Sequence, residues 1–449
     1  MGLLPLNYRP PAYVEKSGPI ASQGSLHDDR ASSKSLRTGL SASSGGIPAA
    51  LSFDRIIEGT TCPPCTLRDF MNYLIYVEHS AENLQFFLWY RDYVRRFANA
   101  KTPDISLAPE WTQAMEDEAV MRIKKEQAEK ARRPPQGAAE IFKGTDFEKG
   151  ADTTRESVTV TVTSNILTTN TSSNRSQASQ AFASAGLKAP FTIQPFRREL
   201  DRVIATYIMD GAPRQLNLTD QEQKTVLHAL SFTTHPSVLR SIANGVEATL
   251  RQQAHPNFIR WSIRNGNPPR ITFAAGLGAA VVLFGVVAAL VLTLSSAGRG
   301  YRALAAIAWV VGFTIWMAAY KGMCVVLHGR HHRHIRPWDL FASDSDDDGN
   351  GHDDGNGHDD GHHDDDSIRA AKSAFDSFGS GNSYEDEPWV VGYRKRNILR
   401  KIFDREVWIE EPALRQIQDT IFVQSVLLAV VCAGVLTGVF VAVPAGRFF

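Results

Sequence analysis

The sequence predicts an all-α membrane protein, a helical soluble region followed by three transmembrane helices. Three observations carry this. Residues 271–294, 303–320 and 421–446 are long apolar runs without charge. The region upstream repeats apolar side chains at helical spacing and lacks the alternating pattern of strands. Its punctuation is that of helices, with Ser, Thr and Asp at starts and Pro or Gly at ends.

Residues 1–50 are rich in Ser, Gly, Ala and Pro and show no sustained apolar period, so they read as a flexible tail. The start lacks the basic segment and apolar core of a signal peptide, and position 6 is not the Ser or Thr that myristoylation wants. Order is expected from Leu51. Over 66–97, Phe70, Tyr73, Leu74 and Val77 form one stripe of an amphipathic helix, with a break near His79-Ser80. Ser80 then caps a second helix that carries Glu82 in its first turn and Asn83 at its third position. Glu110 to Arg133 is a charged helical stretch, whereas Asp152 to Ser184 is Ser/Thr-rich without a helical period. Further helices are expected over Pro195–Tyr207, from a Thr219-Asp220 cap to Leu230, from His235-Pro236 to about Gln253, and from Pro256 to about Gly266.

The first apolar run, at 1.5 Å per residue, makes a helix of about 36 Å, enough to cross a hydrocarbon core of ~30 Å. Lys321 interrupts the second near its end, where a lysine can snorkel to the interface. The spans are placed at 271–296, 302–328 and 421–446. Glycines recur in them, and Gly434-Val-Leu-Thr-Gly438 is a GxxxG, a motif that permits close helix contact in lipid. Arg260, Arg264 and Arg270 precede the first span, Arg330, Arg333 and Arg336 follow the second, and a basic cluster from Arg394 to Arg405 precedes the third. Only Arg299 and Arg302 lie in the first hairpin. This asymmetry predicts a cytosolic N-terminus, a cytosolic 329–420 loop and an extracytoplasmic C-terminus. His328–Arg336 is placed to meet anionic lipid heads. The Asp/His-rich 344–366 segment reads as a solvated charge run, and its oxygen and imidazole donors also suit weak divalent binding. Val390–Ile409 is expected as an interfacial helix.

The chain holds 48 basic and 48 acidic side chains, a balance that gives no reason to expect nucleic-acid binding. Cys62 and Cys65 form one Cys-Pro-Pro-Cys with no second pair to complete a zinc site, so they read as reduced thiols flanking a helix. No metal ligand, cofactor motif or catalytic residue is assigned.

Ser52-Phe-Asp-Arg-Ile-Ile57, Leu67-Arg-Asp-Phe70 and Glu78-His-Ser-Ala-Glu-Asn-Leu-Gln-Phe-Phe87 resemble the first half of an RGS (regulator of G-protein signalling) domain. Gln215-Leu-Asn-Leu218, His235–Leu250 and Phe258-Ile-Arg-Trp261 resemble its second half. The resemblance implies a split RGS-like helical bundle over 51–270, interrupted by an insertion at 98–190 between the family's fourth and fifth helices. Loop closure over such an insertion costs only about 2 kcal/mol, so a chain lacking 105–188 is expected to fold. The layout with three spans resembles fungal bud-site-selection membrane proteins that carry such a domain.

RGS domains accelerate GTP hydrolysis by holding the Gα switch segments, without inserting a catalytic side chain. The resemblance places Asn83, Asn217 and Arg260 at Gα-contacting positions. Where the family has an acceptor Asp, this chain has Pro256. The implied function is a non-enzymatic plasma-membrane scaffold in cell polarity or bud-site selection. Its partner is a Gα subunit or another membrane polarity protein, beside the lipid bilayer. A GTPase-activating protein is the second reading. A transporter or channel is a third, which three spans without paired intramembrane carboxylates do not favour.

Overall fold

The computed structural model describes residues 46–100, 103–132, 171–188, 190, 193–340 and 388–444. Most of the N-terminal tail, much of the Ser/Thr-rich stretch and the Asp/His-rich segment lie outside them. The chain forms two compact units. Among the described residues one unit gathers 46–81, 248–340 and 388–444, and the other takes 82–247.

The first unit begins with α1 (Phe53–Ile57) and α2 (Leu67–Tyr73). A capping box opens α2: Thr66 Oγ1 accepts from the Asp69 N–H at 3.1 Å, and the Asp69 carboxylate accepts from the Thr66 N–H at 3.1 Å. The helix ends in one wide π-turn, Leu74–Glu78, closed by His79 in the left-handed conformation (φ 55°). Phe70, Tyr73 and Leu74 are buried, whereas Val77 is exposed, because the wide turn rotates it off the stripe. Phe258 packs on both Phe70 and Tyr73, with ring centroids 5.0 and 5.5 Å apart.

The second unit is built on α3 (Ala81–Asn99), α4 (Gln113–Arg132), α5 (Thr171–Ser184), α6 (Arg197–Val203, extended by a π-turn to Ile208), α7 (Asp220–Phe232) and the first part of α8 (Arg240–Thr249). Along α3, Phe86, Trp89, Tyr93 and Phe97 face inward. Trp89 donates to Glu199 Oε1 at 2.7 Å, and Arg96 Nη1 donates to Glu199 Oε2 at 2.9 Å. Described parts of the insertion pack into this core, which bears against the expectation that it can be removed. Trp111 stacks on Phe232 (6.2 Å), and its N–H donates to Ser237 Oγ at 2.8 Å. Ala178, Ala181 and Phe182 of α5 are buried, and Arg197 lies over the Phe182 ring at 5.2 Å. The Ser/Thr-rich composition hid this helix, since its apolar face is only three residues wide.

Beyond Thr249 the helix does not stop. Leu250–Ala254 form a π-turn whose last bond runs from the His255 N–H to Leu250 O, and α9 (His255–Ile263) follows directly. Pro256 therefore opens no separate helix. The wide turn takes up its ring and its missing donor.

Three helices are long and apolar enough to cross a membrane: Pro268–Leu294 (α10), Arg299–Tyr320, and Pro412–Ala442. The second begins as a 3₁₀ turn, Arg299–Leu304, and becomes α11 (Ala305–Tyr320). Large apolar side chains, Leu283, Phe284, Leu427 and Val435 among them, stay exposed along these helices, a surface that a bilayer covers. Gly278 and Gly312 let α10 and α11 approach closely. A Cβ on Gly278 would fall 2.9 Å from Gly312 O, and one on Gly312 would fall 2.8 Å from the Val282 N. A Cβ on Gly434 or Gly438 would meet no other element within 4 Å among the described residues, so this GxxxG is not where the spans meet.

Two span boundaries differ from expectation. α11 stops at Tyr320 because Gly322 turns left-handed (φ 78°), and the apolar residues beyond form a separate short helix, α12 (Val325–Gly329). Two three-residue strands, β1 (His332–His334) and β2 (Glu406–Trp408), pair antiparallel with Arg333 opposite Val407, too short to leave a pattern in the sequence. The interfacial helix expected over 390–409 is two shorter ones, α13 (Pro388–Lys395) and α14 (Ile398–Ile402), followed by β2. The third span, α15 (Pro412–Ala442), starts well before its uncharged run. Leu414, Gln418, Ile421 and Ser425 line its buried face, and Gln418 Nε2 donates to Ile263 O at 2.9 Å. Glu411 caps it, and the same carboxylate accepts from the Cys62 N–H at 2.9 Å, while Pro63 O accepts from the Glu410 and Glu411 N–H groups.

Candidate functional site

Asn217 lies in the connection between α6 and α7. Its neighbours are fixed on both sides. The Leu216 N–H donates to Tyr207 O at 2.9 Å, and the Leu218 N–H folds back to Leu216 O at 2.8 Å, closing a three-residue turn with Asn217 at its apex. Leu216 is buried and Asn217 exposed. Thr219 and Glu222 form the expected capping box at the start of α7. A side-chain framework braces the connection: Gln215 Oε1 accepts from the Gly211 N–H at 3.0 Å, and Gln223 Nε2 donates to Ile208 O at 2.6 Å. Among the described residues the Asn217 amide takes no hydrogen bond, so it does not shape its own turn as an Asx residue would. A rigid connection thus displays an uncommitted amide.

Asn83 stands on the first turn of α3, half-buried, with Nδ2 3.3 Å from Glu82 Oε1. Tyr207 joins it to the Asn217 connection. Its ring meets Phe86 of α3 at 5.8 Å, and its carbonyl holds Leu216. Burial raises the Tyr207 hydroxyl pKa, with Arg214 opposing and the Glu82 carboxylate adding a little. Both asparagines therefore sit on elements that converge on one tyrosine of the second unit.

Arg260 belongs to the first unit and is 7 % exposed, with Nη1 donating to Asn257 Oδ1 at 3.1 Å. Pro256 and Asn257 are buried with it. Nearby, Gln253 Nε2 reaches Glu78 Oε1 at 3.4 Å. Burial pushes the Glu78 carboxyl up, against the pull of Tyr73, Gln253 and Asn257. This buried polar group on α2 and α9 was not legible in the sequence, because its members are far apart along the chain and of ordinary type.

Cys65 is fully buried, and burial, with Asp69 and Glu411 beside it, drives its thiol pKa far up. It is therefore a packing residue and not a nucleophile.

Compared with family models, curated proteins and solved structures, the chain matches none.

Proposed function

We propose that the chain is an integral membrane scaffold whose helical soluble part, of RGS type, binds a cytosolic protein partner through Asn217 and Asn83. The observation that carries this is the exposed, uncommitted Asn217 amide on a braced connection. Its neighbourhood also bears the residues that resemble the RGS family. On this reading the membrane is the plasma membrane, the soluble part and the 329–420 loop face the cytosol, the C-terminus lies outside, and the process served is cell polarity or bud-site selection.

Binding is favoured over acceleration of GTP hydrolysis. Where the family offers a carboxylate the chain has the ring of Pro256, and the amide of Asn257 is buried and engaged by Arg260. Losing one charge-assisted hydrogen bond at a desolvated interface costs roughly 1.5–3 kcal/mol, about one to two decades in transition-state stabilisation. The test uses the full chain in nanodiscs against Gα in its GDP·AlF₄⁻ state. Retention of Gα, weakened at least about tenfold by Asn217→Ala, with little acceleration of single-turnover hydrolysis, is expected. Failure to retain Gα sinks the RGS-type reading. A hundredfold acceleration abolished by Asn217→Ala replaces the scaffold with a GTPase activator.

A further inference from the structure

A cavity of about 500 Å³ opens in the first unit at the ends of the first two spans. Its span side is the first turn of α10, with Ile271 and Thr272, and the last turn of α11, with Tyr320. Its other side is aromatic and cationic, with Trp261, Trp338 and Arg336, and no carboxylate of the described residues lines it. The guanidinium of Arg336 lies over Trp261, 3.5 Å from the ring centroid, and Trp261 stacks on Trp338 at 6.0 Å. Tyr76 completes the stack, 4.7 Å from Trp338.

Hydrogen bonding around Arg336 is incomplete. Its Nε and Nη2 are buried and take no hydrogen bond among the described residues, and the same holds for Nε and Nη1 of Arg333. Asp69 and Asp339 are the facing carboxylates. Asp69 is occupied with its capping box and meets Arg333 Nη2 only at 3.9 Å. Burial, with Arg333 adding to it, pulls the Arg336 pKa down to about 9. Donors left without acceptors in this way favour a further anion.

A second feature stands at the same level. α13 supplies Tyr393 to the cavity wall, and beyond it Ile398, Leu399 and Phe403 are exposed beside the exposed Arg394, Lys395 and Arg400. Phe403 meets Phe273, the residue after Thr272, at 6.0 Å. Exposed apolar side chains interleaved with cations, at a span's first turn, are the pattern of a segment lying in the headgroup region.

We infer that the cavity is a binding site for the phosphorylated headgroup of an anionic phospholipid, with Arg336 as its principal cation and the span-side wall taking the first acyl carbons. A basic pocket between the polar ends of spans suits such a headgroup. The phosphate chemistry would also suit a soluble phosphate ester. The apolar span-side wall and the neighbouring segment favour the lipid.

The test is native mass spectrometry of the full chain released from phosphatidylcholine nanodiscs doped with phosphatidylinositol 4,5-bisphosphate or with phosphatidylserine. One retained anionic lipid per chain is expected, with the phosphoinositide preferred. Arg336→Gln should weaken retention at least about tenfold, Arg336→Lys should keep part of it, and substitution of the exposed Arg55, which does not line the cavity, by Gln (Arg55→Gln) should leave it unchanged. Equal losses in the Arg55 and Arg336 variants would mean diffuse surface attraction and overturn the site. So would full retention in Arg336→Gln. Soluble inositol 1,4,5-trisphosphate binding as tightly as the lipid would reassign the cavity to a free phosphate ester and overturn the lipid assignment. If Arg336→Gln does not fold, Arg336→Lys and that competition decide: retention as strong as in the parent, untouched by the soluble headgroup, refutes the site.

Discussion

At His255 the imidazole is packed against Phe53, with ring centroids 6.0 Å apart, and its Nε2–H donates to Leu51 O at 2.8 Å. Burial, with a smaller push from Arg251, lowers its pKa from 6.5 to about 4, against the Leu51 hydrogen bond and Asp54. The unfolded chain thus takes up a proton near pH 6.5 and the folded chain only near pH 4. Between those values the unfolded state binds more protons, so the His255 contribution to stability is full above pH 6.5 and falls as the pH drops. By pH 5 about 2 kcal/mol is lost, roughly 4–8 °C in melting temperature for a unit of this size. Glu78, whose pKa is raised by burial, works in the opposite direction, so the comparison must be between variants. His255→Gln is expected to lose the pH 5 to pH 7 difference in thermal midpoint that the parent shows beyond Glu78's effect. An unchanged difference would acquit His255. None of this was legible in the sequence, where His255 is one histidine before a proline. The Thr219 cap and the break at His79 were legible, because both are local signals. The display of Asn217 was legible only through a family resemblance, since its bracing depends on Gly211, Tyr207 and Gln223 folding around it.

The helices that the sequence made plain are those whose period or apolarity is self-contained: α2, α3, α4, α7 and the three spans. Those it hid depend on neighbours. α5 buries a narrow Ala178-Ala181-Phe182 face in a Ser/Thr-rich stretch, and the start of α15 carries Arg415 and Asp419 on its outer side while Leu414 and Gln418 face inward. Phe182→Ala should cost about 3–5 kcal/mol. Deleting 105–188 removes Trp111 and Phe182 together and should abolish cooperative unfolding of the second unit, followed by circular dichroism. Retained cooperativity with a simple linker would show that the insertion is dispensable. Between the spans, Gly278→Leu drives a side chain into the α11 backbone and should cost about 1–3 kcal/mol or more. Gly434→Leu meets open space and should stay within about 0.5 kcal/mol. Melting in detergent separates the two, and equal effects would contradict the helix pairing described above.

Across the whole molecule the proposed orientation predicts that a tag after Phe449 is reached by protease from outside intact cells, while a tag at Met1 is not. A protected C-terminal tag would reverse the assignment. The first hairpin adds a detail that charge counting did not reveal. Arg302 is fully buried, and its Nη1 donates to Phe440 O (2.9 Å) and Val443 O (2.6 Å) at the end of α15, where helix carbonyls lack partners and the helix dipole favours a cation. This arginine is spent on a helix end and says little about which side it faces. The cap on the other end of α15 has a consequence in time. Cys62 and Glu411, joined by one hydrogen bond, are 349 positions apart. At a ribosome's pace of roughly 5–20 residues per second, roughly 20–70 s separate the emergence of the two. For that interval the Cys62–Cys65 loop waits without the carboxylate that will hold it, and a polypeptide cut short before its last span leaves it waiting permanently. The start of the last apolar helix thus completes a loop synthesised 349 positions earlier.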